Sequence, residues 1–187
     1  MFLYPPRPER AIAPSLIELF ESRGYIAQKK KNGTCTVVSI DASGNVSWYT
    51  RHGEAHKAWT PTNELTEHFS GFPDSVFVGE LLHSKGGGVK DTLCMFDVLV
   101  SHGRPLTGWT YMDRYAKLSL GIPNTDRLRI LENYTKDLRN LYDGLTDSLD
   151  EGIVLKDPNA VLRDCHRDKL NANWQVKCRR ATPNYGF

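Results

Sequence analysis

No apolar run in this sequence approaches the roughly 20 residues needed to span a bilayer, and Met1-Phe2-Leu3-Tyr4 passes straight into Pro5-Pro6-Arg7-Pro8 without a signal-peptide core. Neither a membrane partner nor a secretory leader is expected, and the expected location is the cytoplasm. Four scattered cysteines, Cys35, Cys94, Cys165 and Cys178, lack any C-x-x-C spacing. That argues against a zinc site or a disulfide framework and for reduced packing residues. With 24 basic and 22 acidic side chains the net charge is only +2, far from the excess of a histone-like coat, so any polyanion would have to meet a local basic groove. There is no internal repeat and no low-complexity tract. The 187 residues suffice for one buried core, and a single domain over 1–187 is expected.

What is present reads as short strands in hairpins with a few interspersed helices. Tyr4 to Pro14 is proline-rich and reads as an extended arm on the surface, with Arg7 and Arg10 available to phosphate. Ser15 is expected to cap a helix with Leu16, Ile17, Leu19 and Phe20 on its apolar face, ended by Gly24. Thr34 to Ile40, the turn Asp41-Ala42-Ser43-Gly44-Asn45 and Val46 to Thr50 form a hairpin pattern. A short helix follows from Thr62 to Phe69. Ser75 to Leu82 and Thr92 to Val100 are strongly apolar strands. Their connection, Ser84-Lys85-Gly86-Gly87-Gly88-Val89-Lys90, lacks the G-K-[ST] ending of a phosphate loop and reads as a flexible hairpin loop. Met112 to Leu120 and Thr135 to Leu145 have helical spacing around a strand at Leu128 to Leu131. Gly152 to Lys156 and Trp174 to Cys178 are the last strands. The expected class is α+β with mainly antiparallel sheets flanked by helices.

Four features point to chemistry. Gln28-Lys29-Lys30-Lys31-Asn32-Gly33 gathers cations before a turn. A lysine amine is a nucleophile only when neutral, and adjacent cations such as Lys29 and Lys31 would favour that form in Lys30. Glu80 stands in the otherwise apolar Val76 to Leu82, where a carboxylate is costly without a partner. Glu151 opens the strand that ends in Lys156. Lys177 and Arg179 alternate onto one face of the last strand. Together these residues suit a nucleoside triphosphate: cations for the phosphates, Glu80 and Glu151 for Mg²⁺, and Phe96 to stack on the base.

The order of these motifs resembles the nucleotidyltransferase domain of ATP-dependent polynucleotide ligases, a superfamily that includes the mRNA capping guanylyltransferases. The first motif, K-x-D-G or K-x-N-G, is matched by Lys30-Lys31-Asn32-Gly33. An arginine shortly before glycine is matched by Arg51-His52-Gly53, G-E-L by Gly79-Glu80-Leu81, and F-D by Phe96-Asp97. The continuation from Val98 to Gly108 looks like DNA ligases. E-G-[ILV]-V-[LF]-K is matched in full by Glu151 to Lys156, and K-x-K approximately around Lys177.

The resemblance implies an ATP-grasp-like ligase fold in which Lys30 attacks the α-phosphate of ATP to form lysyl-AMP. Glu80 and Glu151 would serve Mg²⁺ or Mn²⁺, Phe96 would stack on adenine, and Gln28 or the adjoining backbone at Lys29 would read its amino group. Arg51 would contact ribose or the nick phosphate, and Lys156 and Lys177 the α-phosphate. Asp97 is a weaker candidate. The implied partner is nicked duplex DNA, or RNA, joined by a monomer. Asn32 in place of the usual aspartate keeps an RNA ligase in view. The last motif departs as well, with Gln175 for its first lysine or Arg179 for its second. The chain ends at Phe187, where members usually continue into an OB-fold domain, so slow self-adenylation and poor sealing are expected of it alone. A GTP-dependent capping enzyme and a catalytically inactive nucleic-acid-binding domain are the alternatives.

Overall fold

The computed structural model describes residues 2–83, 89–163 and 171–181. Its strands, in chain order, are β1 (Arg7–Ala11), β2 (Ile26–Lys31), β3 (Thr34–Ile40), β4 (Val46–Thr50), β5 (Ser75–Leu82), β6 (Thr92–Ser101), β7 (Arg104–Pro105), β8 (Leu128–Ile130), β9 (Asp150–Lys156) and β10 (Asn171–Arg179). The helices are α1 (Ile17–Ser22), α2 (Asn63–Ser70), α3 (Tyr111–Gly121) and α4 (Leu138–Asp143). Two sheets result, a four-stranded one in the order β1-β10-β9-β2 and a six-stranded one in the order β4-β3-β5-β6-β7 with β8 against β6. Every pairing is antiparallel except β1 with β10 and β6 with β8. The α+β, mainly antiparallel expectation is met.

The smaller sheet buries one face under helices, whereas the central strands of the larger are buried on both faces, as neighbouring Val37 and Val38, and Phe77 and Val78, show. On the smaller sheet the alternate residues Ala27, Ile153, Leu155, Val176 and Cys178 pack with Ile17 and Phe20 of α1 and Leu138 of α4. By the two-residue period of a strand, the intervening residues face the other way. The larger sheet packs Val38, Phe77 and Val98 with Leu65 and Phe69 of α2 and Leu118 of α3. Thr110 and Asp113 close a reciprocal capping box at the start of α3. The start of α4 is instead capped from a distance: the Glu21 carboxylate accepts the Asp137 and Leu138 N–H groups at 2.7 and 3.0 Å.

Three sequence expectations change. The surface arm contains a true strand, because Arg7 to Ala11 find ladder partners on β10, a segment far away in sequence. The first helix begins at Ile17 after a 3-10 turn over Pro14–Leu16, with Ser15 inside that turn and making no cap. Leu16 and Leu19 are exposed while Ile17 and Phe20 are buried, so the apolar face is narrower than its spacing suggested. The helix expected over Thr135 to Leu145 spans only Leu138–Asp143. The Ser84 to Lys90 loop has residues 84–88 outside the described residues, as is Cys165. Cys35, Cys94 and Cys178 are free thiols, consistent with packing roles. Among the described residues no helix is long and apolar enough to cross a membrane.

β9 carries an irregularity that the site depends on. Lys30 pairs with Gly152 while Lys31 pairs with Asp150, so Glu151 is an extra residue on β9, a β-bulge. Gly152 has φ +146°, and a Cβ there would collide with the Cys178 carbonyl oxygen and lie 2.8 Å from Arg179 Cα. Both the backbone angle and the close approach demand glycine. Gly152→Ala is therefore expected to lower stability in a urea titration by about 3 kcal/mol. Gly24→Ala, at φ +80° with open space around it, should cost only about 1 kcal/mol.

Candidate active site

The exposed face of the smaller sheet forms one wall of a cavity of about 910 Å³, and the edge of the larger sheet supplies the other. Gln28 and Lys30 of β2, Val154 and Lys156 of β9, and Gln175, Lys177 and Arg179 of β10 alternate onto the first wall. Cys35, Glu80 and Phe96 come from the second, with Arg51 from the turn after β4 and Arg7 from β1. All of the expected nucleotide-site residues, Gln28, Lys29, Lys30, Arg51, Glu80, Phe96, Glu151, Lys156 and Lys177, border this one cavity. Arg10, also expected near phosphate, is exposed and does not border it.

Lys30, Gly152 and Arg179 lie abreast across three strands. The glycine leaves a gap between the two cations, and the bulge delivers the Glu151 carboxylate into it. Glu151 Oε1 contacts Lys30 Nζ directly and lies 3.7 Å from Arg179 Nε. Without the extra residue, strict alternation would turn Glu151 toward the apolar face shared by Ile153 and Leu155. The neighbouring lysines differ. Lys31 Nζ lies 2.5 Å from Asp150 and 3.9 Å from Asp147, and Lys29 Nζ lies 3.8 Å from Asp150. Lys29 and Lys31, expected as the neighbours that act on the Lys30 amine, have their charges engaged by Asp150. Lys177, on the same wall as Lys30 with β9 between them, is held below the usual lysine range by burial and then by Arg179, Lys30, Arg7 and Arg51.

Glu80 is fixed through backbone. Gly33 lies so close to the Leu81 carbonyl that a Cβ would clash with it, and its N–H donates to Glu80 Oε1 at 3.1 Å. Burial pushes the Glu80 carboxyl up to about 7, opposed by the nearby Lys30 ammonium and the Gly33 hydrogen bond. Lys156 is almost fully buried at 3% exposure, donating to Gln28 Oε1 at 2.6 Å and to the Tyr111 hydroxyl at 3.2 Å. Burial pulls it down to about 7. Gln28 Nε2 donates to the Leu131 carbonyl at 3.0 Å. The Gln28 side chain thus already has partners at both ends.

Asp97 has a different task. Its carboxylate accepts from Arg114 Nε at 2.8 Å and Nη2 at 3.0 Å in a buried fork, while Arg114 Nη1 donates to the Trp109 carbonyl at 3.0 Å. Asp97 anchors α3 to β6 and does not border the cavity. Tyr111, Asn133 and Arg114 were not singled out from sequence. A tyrosine on an apolar helix face carries no signal of its own, and the partners lie far apart in the chain.

Mg²⁺ is commonly held by one or two carboxylates together with phosphate oxygens and water. Glu80 and Glu151 supply two carboxylates on one cavity. Among the described residues no group of three His, Cys, Asp or Glu is gathered to hold a metal without help. This donor set fits Mg²⁺ or Mn²⁺ shared with a triphosphate.

Comparison with known proteins agrees at the level of fold. No family model matches the sequence, and no curated protein does. Solved structures do. The ligase domain of LigD from M. tuberculosis superposes with a TM-score of 0.70 at 20% identity, covering 95% of this chain and 59% of that one. The ATP-dependent DNA ligase of bacteriophage T7, in complex with ATP, gives 0.57 at 13% identity over 94% of this chain and 68% of the other. An archaeal ATP-dependent RNA ligase gives 0.59 at 21% identity over 93% and 47%. A mycobacterial DNA ligase D with ATP is likewise covered over only 59% of its length. The chain has the fold of the nucleotidyltransferase domain of ATP-dependent polynucleotide ligases.

The raised Glu80 value has a measurable cost. A carboxyl that holds its proton longer in the folded state than in the unfolded chain takes stability away as pH rises from about 4.5 to about 7. Glu80→Gln keeps an acceptor for the Gly33 N–H and removes that loss. In chelator-treated buffer the variant should be more stable than the parent by about 2–3 kcal/mol at pH 8 and equal to it near pH 4.5, as read from denaturant titrations at both values.

Proposed function

We propose that this chain, which has the fold of ligase nucleotidyltransferase domains, is the catalytic domain of an ATP-dependent DNA ligase with Lys30 as its nucleophile. The observation that carries the reading is the row Lys30, Gly152, Arg179 with Glu151 set into it, facing a cavity bordered by Lys156, Lys177, Glu80 and Phe96. Phe96 offers a ring face for adenine. Lys156 and Lys177 are read as the cations that hold α-phosphate oxygens, and Arg51 and Arg7 border the same cavity. Gln28, with both ends of its amide already engaged, contributes through its hold on Lys156, which leaves the β2 backbone at Lys29 to read the base.

In the first step the Lys30 amine gives up its proton to Glu151, the carboxylate in contact with it, and its lone pair attacks the α-phosphorus. The N–P bond forms, the bond from that phosphorus to the bridging oxygen breaks, and pyrophosphate leaves with the electron pair. Lys177 offsets charge growing on the phosphate oxygens. A metal held by Glu80 and Glu151 with the phosphates would add further charge neutralisation. In the second step a 5'-phosphate oxygen attacks the adenylate phosphorus, the N–P bond breaks, and the Lys30 amine is restored. The 3'-hydroxyl at the nick then displaces AMP and closes the strand.

One observation favours a second reading, an RNA ligase: Asn32 completes a K-x-N-G motif, and archaeal RNA ligases share the fold. Incubation with α-labelled ATP and Mg²⁺ should leave acid-labile, base-stable label on the protein, absent from Lys30→Ala and formed at least about 100-fold more slowly by Lys177→Ala. Label from GTP alone would replace the ligase by a capping enzyme, and no label from either nucleotide would leave a binding domain. Sealing of nicked RNA in preference to nicked DNA would decide for the second reading.

A further inference from the structure

Among the described residues, Lys156 is the one cation bordering the cavity that is almost fully buried. Both of its acceptors are themselves fixed. Gln28 donates its amide to the Leu131 carbonyl at 3.0 Å, which turns its oxygen to the lysine. The Tyr111 hydroxyl donates to Asn133 Oδ1 at 3.1 Å, which leaves its lone pairs for the amine. The amine lies 4.3 Å from the centroid of the Tyr111 ring and 5.2 Å from that of Phe96. Tyr111 is fully buried in the first turn of α3. The Thr110–Asp113 capping box and the Arg114–Asp97 fork fix that turn.

The charges around Lys156 come from four elements. β6 contributes Asp97, which favours the ammonium, and α3 contributes Arg114, which opposes it. Those two are paired with each other. α3 also carries Tyr111 and Tyr115. β2 places Gln28 beside the amine with Lys30 two residues on, and β10 places Gln175 opposite with Lys177 two residues on. Burial remains the largest influence and favours the neutral amine.

We propose that Tyr111 is a positioning residue for Lys156, and that nucleotide binding is proton-linked through it: held between the Tyr111 hydroxyl and the Gln28 amide, the Lys156 amine completes its protonation from solvent when the α-phosphate anion arrives. The proposal rests on the ATP reading above. An anion at contact distance stabilises the ammonium that burial disfavours. A group part-neutral in the free protein and charged in the complex must draw protons on binding, so affinity falls as pH rises through the neutral range. Tyr111→Phe keeps the ring under the amine and deletes the acceptor oxygen. Its free amine stays neutral to lower pH, and nucleotide must supply more of the protonation free energy.

Calorimetry with α,β-methylene-ATP, whose P–C–P link prevents transfer to Lys30, tests this in two buffers of different ionisation enthalpy. At pH 7.5 the parent should take up about half a proton or more per nucleotide bound, and Lys156→Arg should take up markedly less. Tyr111→Phe should bind roughly three- to tenfold more weakly at pH 8 and almost as well as the parent at pH 6. No proton uptake by the parent, equal uptake by Lys156→Arg, or the same weakening of Tyr111→Phe at both pH values would overturn the proposal. If the analogue does not bind at all, the ATP reading fails. The Tyr111–Lys156 link is then judged in the free protein from ¹³Cε-lysine NMR, with the Lys156 signal identified by its absence in Lys156→Arg. A titration midpoint lowered in Tyr111→Phe supports the link, and an unchanged midpoint overturns it.

Discussion

Where β9 passes Cys178 there is no room for a side chain, and the placement of the charged groups in the cavity follows from that approach. Gly152 sits between Lys30 on one strand and Arg179 on the other, and a Cβ would meet the Cys178 carbonyl. The same missing side chain has two consequences. It lets three strands run close together at this point, and it leaves a gap between two cations. The bulge at Glu151 fills the gap with a carboxylate. Backbone and electrostatics are therefore tied together, since two cations on neighbouring strands with nothing between them would repel across the sheet.

Burial biases the charge of the residues lining the cavity. It raises Glu80 and lowers Lys156 and Lys177, in each case toward the neutral form, because neutral groups lose less solvation on leaving water. The free site thus carries less charge than its residue types suggest. In the proposed complex a nucleotide with its metal would reverse the balance, since phosphates favour the ammonium forms and a divalent cation favours the carboxylates. The apolar cluster behind the smaller sheet, from Ala27 and Leu155 to Ile17 and Leu138, holds this arrangement together against the cost of gathering cations on one face.

Much of this was legible in sequence where the signal is local. The β3–β4 hairpin, the apolar strands β5 and β6, helices α2 and α3, and the alternation of Lys177 with Arg179 follow from two- and 3.6-residue periods and turn residues. Glu80 stood out because a carboxylate in an apolar strand needs a reason. Long-range pairing was not legible. Arg7–Ala11 reads as a proline-rich arm until β10 supplies its ladder. Asp97 next to Phe96 invited a role at the nucleotide until Arg114, seventeen residues on, claimed both of its oxygens. The start of α4 takes its cap from Glu21, 116 residues away from Asp137, so spacing alone drew that helix too long.

The three consecutive lysines show why identical residues in a row acquire different roles. Lys30 shares a face with Gln28, Val154 and Lys177 and meets Glu151. Lys29 and Lys31 go to Asp150, itself buried and so dependent on their charge. That arrangement pins β2 to the start of β9 immediately beside the bulge, and it does so on both sides of Lys30. The flanking lysines therefore act on Lys30 through geometry: they fix the strand ends whose register sets the distance between its amine and Glu151. The cations that share its face are Lys177 and Arg179, both on β10 beyond β9. Sequence proximity and electrostatic proximity have been separated by the pleat of a single strand.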